Sequence, residues 1–270
     1  MRKQATPETH IADGEIHIDV SSYFRWKWIA ERALAAVLLV AALPIMAVLA
    51  VIVRFSSRGP AVFHQVRVGR DGRLFTMYKY RTMMHGAEAK TGPIWALTDD
   101  PRLTRVGRII RKMHLDELPQ LWNVVRGDMG LVGPRPERPE FTHSLAKEIP
   151  GYSNRLAVLP GITGLAQINL PADSDLDSVR RKLVLDLEYV RHATMSIDVR
   201  LLLCTCFRAI GFSGYQASRL LSVRREVHMP EKPADVAPQV AEPVVANSQR
   251  QHGNGHSHVG ELATATHRPR

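Results

Sequence analysis

From Ala33 to Val53 the chain runs for 21 residues without a charge, bounded by Arg32 and Arg54. At about 1.5 Å of rise per residue, a helix of that length covers the hydrocarbon core of a bilayer. Pro44 stands in the middle, where it removes a backbone hydrogen bond and clashes with the preceding turn, so a bend is expected there. Positive charge selects no side: Arg25, Lys27 and Arg32 precede the run, while Arg54, Arg58, Arg67, Arg70 and Arg73 follow it. Two readings stay open, a straight span with a tolerated proline, or a segment that enters the bilayer, bends near Pro44 and returns to the same face. Tyr23, Phe24, Trp26 and Trp28 suit an aromatic belt at the membrane surface. The apolar run comes too late for a signal peptide and no small-residue cleavage site follows it. Residues 1–24 read as a mobile polar lead.

A formal charge of +10 invites a nucleic-acid reading, and the placement of that charge argues against it. Residues 1–53 hold five basic and five acidic side chains and residues 229–270 hold four of each, whereas residues 54–113 hold thirteen basic against four acidic. The surplus follows the apolar run directly, which favours lipid headgroups and phosphorylated substrates. There is no zinc-finger spacing and no alternation of aromatic and basic residues, so no nucleic acid is expected as a partner. Cys204 and Cys206 lie two apart and would face different sides of a helix, which makes a disulfide between them implausible.

Between Ala61 and Arg81, β-branched and aromatic residues flank Arg70-Asp71-Gly72-Arg73, and an Asp-Gly pair in that setting predicts a β-hairpin. Leu103, Val106, Ile109, Ile110 and Met113 recur at helical spacing among arginines, as in a helix lying in the membrane interface or packed on its own domain. Asp198 to Arg225 is a second such stretch, interrupted near Gly211 to Gly214. Beyond Met229 the composition loses all period and reads as disordered, and its His252, His256 and His258 are a weak metal signal.

The chemistry concentrates in His114 to Glu137. Asp116 and Glu117 precede Pro119 and an apolar-periodic run, which puts two carboxylates at a helix N-terminus, where the dipole favours the ionised form and a bound phosphate. An ordinary acidic N-cap would look the same. Gly133-Pro134-Arg135-Pro136 is a rigid turn that presents one guanidinium, suited to phosphate oxygens. Pro160-Gly161-Ile162-Thr163-Gly164 is a second tight loop, where backbone can approach a ligand.

In this order, KYRTM (79–83), LDELPQLWNV (115–124), GDMGLVGPRP (127–136), PGITGLAQIN (160–169) and LDLEYV (185–190) resemble the bacterial sugar transferases, also called monotopic phosphoglycosyl transferases. The likeness runs from about Trp26 to about Arg208. It implies an α+β fold, mainly α: a monotopic membrane protein with a re-entrant helix bent at Pro44, interfacial amphipathic helices and a small β-hairpin. The expected divisions are a lead at 1–24, the re-entrant helix at 25–56, a cytoplasmic catalytic domain at 57–227 and a tail at 228–270. The implied activity is transfer of a sugar 1-phosphate from a UDP-sugar to polyprenyl (undecaprenyl) phosphate, at the cytoplasmic face of the bacterial inner membrane, in exopolysaccharide, O-antigen or glycoconjugate synthesis. By the same resemblance Asp116 is the nucleophile, Glu117 its partner in holding Mg2+ or handling a proton, and Arg135 a phosphate ligand. Lys79, Arg81 and Asp186 are placed in the substrate pocket. Partners are the UDP-sugar, polyprenyl phosphate and membrane lipid, with a homo-oligomer left open. No set of four membrane helices precedes the run as it does in larger relatives, which is read as the minimal form with an added tail. Leu43, Leu159 and Leu170-Pro171 depart from the family's usual serine, basic residue and Gly-Arg, which touches sugar specificity more than reaction type. Rival readings are a non-catalytic scaffold, which would not need Asp116-Glu117, and a glycosyltransferase that moves the sugar without its phosphate.

Overall fold

The computed structural model describes residues 16–87 and 100–227. The chain divides into Met1–Met229 and Pro230–Arg270, and every described residue belongs to the first unit. The His-rich tract and the tail fall outside the described residues, as do residues 1–15 of the lead. Its inner end is pinned: the Ser21 amide donates to the Val190 carbonyl at 3.1 Å and its hydroxyl to the Ala193 carbonyl at 3.0 Å.

The apolar run forms α1, Phe24–Ser56, the one helix among the described residues long and apolar enough to cross a membrane. Its 33 residues correspond to about 50 Å of helix. The helical assignment continues through Pro44, which has no N–H to offer the turn before it. Only its ends are deeply seated. Lys27, Glu31 and Ala35 are buried at one end, Leu49 and Val53 at the other, each set spaced by four residues and so on one face. Ala35 joins the main core with Val124, Val132, Leu185 and Leu201, while Leu49 and Val53 pack on Tyr80 and Ile110. Val37, Val40, Leu43, Val48 and Val51 stay exposed, an apolar surface that suits lipid.

The hairpin forms as the Asp-Gly signal predicts. β1 (Val62–Val68) pairs antiparallel with β2 (Leu74–Tyr80), with Val68 opposite Leu74, and the turn carries Asp71 at φ 56° and Gly72 at φ 76°. α2 (Arg105–Lys112) follows, capped by the Thr104 hydroxyl on the Gly107 amide at 2.8 Å. Its apolar residues divide, with Ile110 buried in the core and Ile109 exposed.

α3 (Gln120–Arg126) leads into β3 (Gly130–Val132); α4 (Pro139–Glu148) then crosses to β4 (Gly161–Thr163), which pairs parallel with β3. This small parallel pair is absent from the sequence reading, which took the β4 segment for a tight loop and left residues 130–132 unassigned. α5 (Leu165–Asn169), α6 (Leu176–His192), α7 (Met195–Ala209) and α8 (Gly214–Leu220) complete the body, with the expected interruption between α7 and α8 at Ile210 to Ser213.

The close approach allowed by the second Gly-rich loop is to protein, and a ligand is not needed to explain it. A Cβ on Gly161 would lie 2.0 Å from the Gly133 amide nitrogen, and one on Gly133 would lie 2.5 Å from the Leu159 carbonyl. Glycine at both positions is what lets the two strand ends touch.

Candidate active site

Asp116 and Glu117 do not sit in the first turn of α3. They occupy a single 3-10 turn, Leu115–Glu117, entered through His114 at φ 57°, and Pro119 is the N-cap of α3. The turn opens onto a cavity of about 790 Å³ bounded by the hairpin, α2 and residues of α4, α5, α6 and α7, which is large enough for a nucleotide sugar.

Glu117 is the anchored carboxylate. Its Oε1 accepts from Arg135 at 2.9 Å and pairs with Lys79 Nζ at 3.3 Å. Burial alone would raise its pKa, but the guanidinium and then the ammonium outweigh it and hold Glu117 well below the usual carboxylate range. Lys79 is pushed down to about 8, first by burial and then by Arg135. Asp116 is 7% exposed, and among the described residues no side chain hydrogen-bonds or pairs with it. Burial, and then the charge on Glu117, push it up to about 6. The expected dipole effect therefore loses here, because a turn of three residues has little dipole to set against desolvation.

This asymmetry gives a pH prediction. A carboxyl whose folded pKa is raised contributes stability that is fully present below its unfolded value and is lost as pH rises through the folded one. In magnesium-free buffer the advantage of wild type over Asp116→Asn should thus fall between pH 4 and 6, on the order of 3 kcal/mol. Thermal melts of both proteins across that range check it, and parallel pH curves would refute it.

The remaining predicted residues are placed as follows. Lys79, on β2, and Arg135, after β3, converge on Glu117. Arg81 lines the same cavity, yet its guanidinium donates to the carbonyls of Val53 (3.2 Å), Ser57 (2.7 Å) and Arg58 (2.8 Å), where it caps the end of α1. Asp186 lies behind the cavity wall, 2% exposed, in an ion pair with Arg155 at 2.7 Å. Arg155 in turn donates to the Arg135 carbonyl at 2.8 Å. Asp186 thus supports the turn that carries Arg135. Arg155, Arg67 (which lines the cavity and donates to the Pro136 carbonyl at 3.0 Å) and His114 were missed as site residues; only His114, next to Leu115-Asp116-Glu117, carried any local signal.

Two carboxylates, one of them unpaired, beside two cations suit a divalent ion that also needs phosphate oxygens. No group of three or more His, Cys, Asp or Glu side chains is found among the described residues, so such an ion would depend on substrate to complete its shell.

Residues 22–211 match the model of the bacterial sugar transferases. The chain belongs to that family. An Aeromonas hydrophila UDP-N-acetylgalactosamine-undecaprenyl-phosphate N-acetylgalactosaminephosphotransferase is 43% identical over 156 residues, 58% of this chain and 37% of that protein. UDP-glucose:undecaprenyl-phosphate glucose-1-phosphate transferases of Escherichia coli and Caulobacter vibrioides are 38% and 37% identical, each over 66% of this chain and over 39% and 67% of their own lengths. The chain thus spans under two fifths of the Aeromonas and Escherichia proteins. Membership of this family and the apolar α1 together indicate association with a membrane.

Proposed function

We propose that this bacterial sugar transferase moves a sugar 1-phosphate from a UDP-sugar to undecaprenyl phosphate, releasing UMP. The observation that carries this reading is the unpaired, buried Asp116 beside an anchored Glu117 in a cavity sized for a nucleotide sugar. One Asp116 oxygen attacks the phosphorus that bears the sugar; the bond from that phosphorus to the bridging oxygen breaks, and UMP leaves with the electron pair. A phosphate oxygen of the polyprenyl carrier then attacks the same phosphorus, and the Asp116 carboxylate departs. Arg135 and Lys79 neutralise phosphate charge, and Glu117 keeps both in position. Mg2+, held by Asp116 and Glu117, would supply further neutralisation of the diphosphate. Raised out of its usual range, Asp116 is a stronger base and hence a better nucleophile once ionised. Native membranes given a panel of UDP-sugars should release UMP with one of them, and mass spectrometry should find the phosphosugar on the Asp116 peptide. A transferred sugar without its phosphate, with UDP released, would overturn the reading.

We further infer that α1 is re-entrant, with residues 1–24 and the catalytic domain both on the cytoplasmic face of the inner membrane. Support comes from the packing of one face of α1 on a single body along its length, through Ala35, Leu39, Ala42, Met46, Leu49 and Val53, with the Tyr80 hydroxyl donating to the Met46 carbonyl at 2.6 Å; a helix crossing the bilayer would leave that body behind. In a background lacking Cys204 and Cys206, cysteines at Thr6 and at the exposed Ser144 of the catalytic domain should both resist impermeant thiol reagents applied to intact cells. Labelling at Thr6 alone would show a straight span. Pro44→Ala restores the missing hydrogen bond and should expose Thr6 in part of the population.

A further inference from the structure

We propose that Glu31, on the membrane helix α1, is a positioning residue for Arg135, so that the phosphate-binding wall takes its working shape only when the first turns of α1 are seated. The proposal rests on the transferase reading above. The pairing of β3 with β4 is irregular. The amides of Gly130 and Gly133, three residues apart, both face β4, donating to Pro160 at 2.8 Å and Thr163 at 2.9 Å, while that of Val132 between them turns to the open edge. No third strand covers that edge among the described residues. Glu31 Oε1 takes the Val132 amide at 3.0 Å, and the Tyr189 hydroxyl lies 3.3 Å from the Val132 carbonyl. A two-stranded sheet is marginal on its own, and here the Glu31 carboxylate takes the place of the missing neighbour at the Val132 amide.

The carboxylate is itself held. Lys27 bonds Glu31 and reaches Asp198 at 2.6 Å, and Asp198 also accepts from Tyr23 at 2.9 Å and Tyr189 at 2.6 Å. A Cβ on Gly130 would lie 2.6 Å from Glu31 Oε2, so the carboxylate lies directly against the strand. An apolar cluster of equal volume would hold α1 at least as well, but it could not accept the Val132 N–H. Three residues beyond Val132 is Arg135, and the path between them is stiff: Gly133 bonds Thr163, and the Pro134 carbonyl accepts from Gly161 at 2.9 Å. A shift at Val132 therefore reaches the guanidinium that grips Glu117.

The test uses full-length protein in lipid nanodiscs, with Glu31→Ala and Glu31→Gln compared by hydrogen exchange and by UMP release. Glu31→Ala should speed exchange at Val132 by about tenfold or more. It should also lower kcat by about 100-fold, since a displacement near 1 Å is enough for that. Glu31→Gln retains an oxygen for Val132 and should stay within about tenfold of wild type in kcat, with protection at Val132 kept. Unchanged Val132 exchange in Glu31→Ala would overturn the proposal. Equal losses in both variants, with protection lost throughout residues 24–40, would assign Glu31 to docking alone and overturn it as well. A wild type that releases no UMP from any UDP-sugar would sink the transferase reading, while the exchange comparison would still decide the role of Glu31.

Discussion

Asp116→Asn is expected to stop UMP release, with a loss of about 10⁴-fold or more, while leaving the protein folded and in the membrane. A neutral amide cannot displace UMP from phosphorus, and removal of a covalent nucleophile typically costs this much. The change should not disturb its surroundings. Among the described residues no hydrogen bond or ion pair is lost with the carboxylate, and Glu117 keeps Arg135 and Lys79. The variant even loses a like-charge repulsion that raises the wild-type carboxyl. Quantifying UMP in purified membranes, with UDP-sugar binding measured alongside, separates a chemical defect from a binding one. Residual release above about one part in a hundred would move the nucleophile elsewhere.

Arg155→Met should be the most destabilising of the simple substitutions around the site, by about 3–5 kcal/mol. Arg155 is 4% exposed and donates to Asp186, to the Tyr152 hydroxyl at 3.0 Å and to the Arg135 carbonyl at 2.8 Å. Removing it strands the Asp186 carboxylate, whose pKa burial already pushes up against the pull of Arg155. Much of that cost belongs to the orphaned charge, so Arg155→Met combined with Asp186→Leu should recover most of it. Denaturant titration of the two single variants and the double one measures the coupling. A double variant as unstable as the sum of the singles would mean that the pair is not the source.

What the sequence revealed follows the range over which each signal acts. The charge-free run and the Asp-Gly turn are local statements, and α1 and the β1–β2 hairpin stand where those statements put them. Lys79 and Arg135 are assigned to a substrate pocket by the motifs that carry them, and both line the cavity, but their convergence on Glu117 is visible only in the packing. The β3–β4 pair was hidden since strands of three residues show no alternation, and partners thirty-one positions apart leave no mark on either segment. Arg155 and Asp186 are likewise a match between distant segments. Lys27 was read as a flanking charge for membrane orientation, and only packing reveals that it is buried against Glu31 and Asp198. Arg81 shows the converse: a cation in a familiar motif, whose donors serve the end of a helix.

The contact between Gly133 and Gly161 divides the cavity wall into a part that tolerates redesign and a part that does not. A methyl group at Gly161 or Gly164 would fall 2.0 or 2.2 Å from Gly133 backbone atoms, so a library that varied these positions would consist mainly of misfolded chains. Those glycines lie behind Ile162 and Thr163, whereas Leu170, Pro171 and Ala172 face the cavity directly, from the connection between α5 and α6. Efforts to retarget the enzyme to another sugar belong on that connection, and the paired glycines should be left as they are.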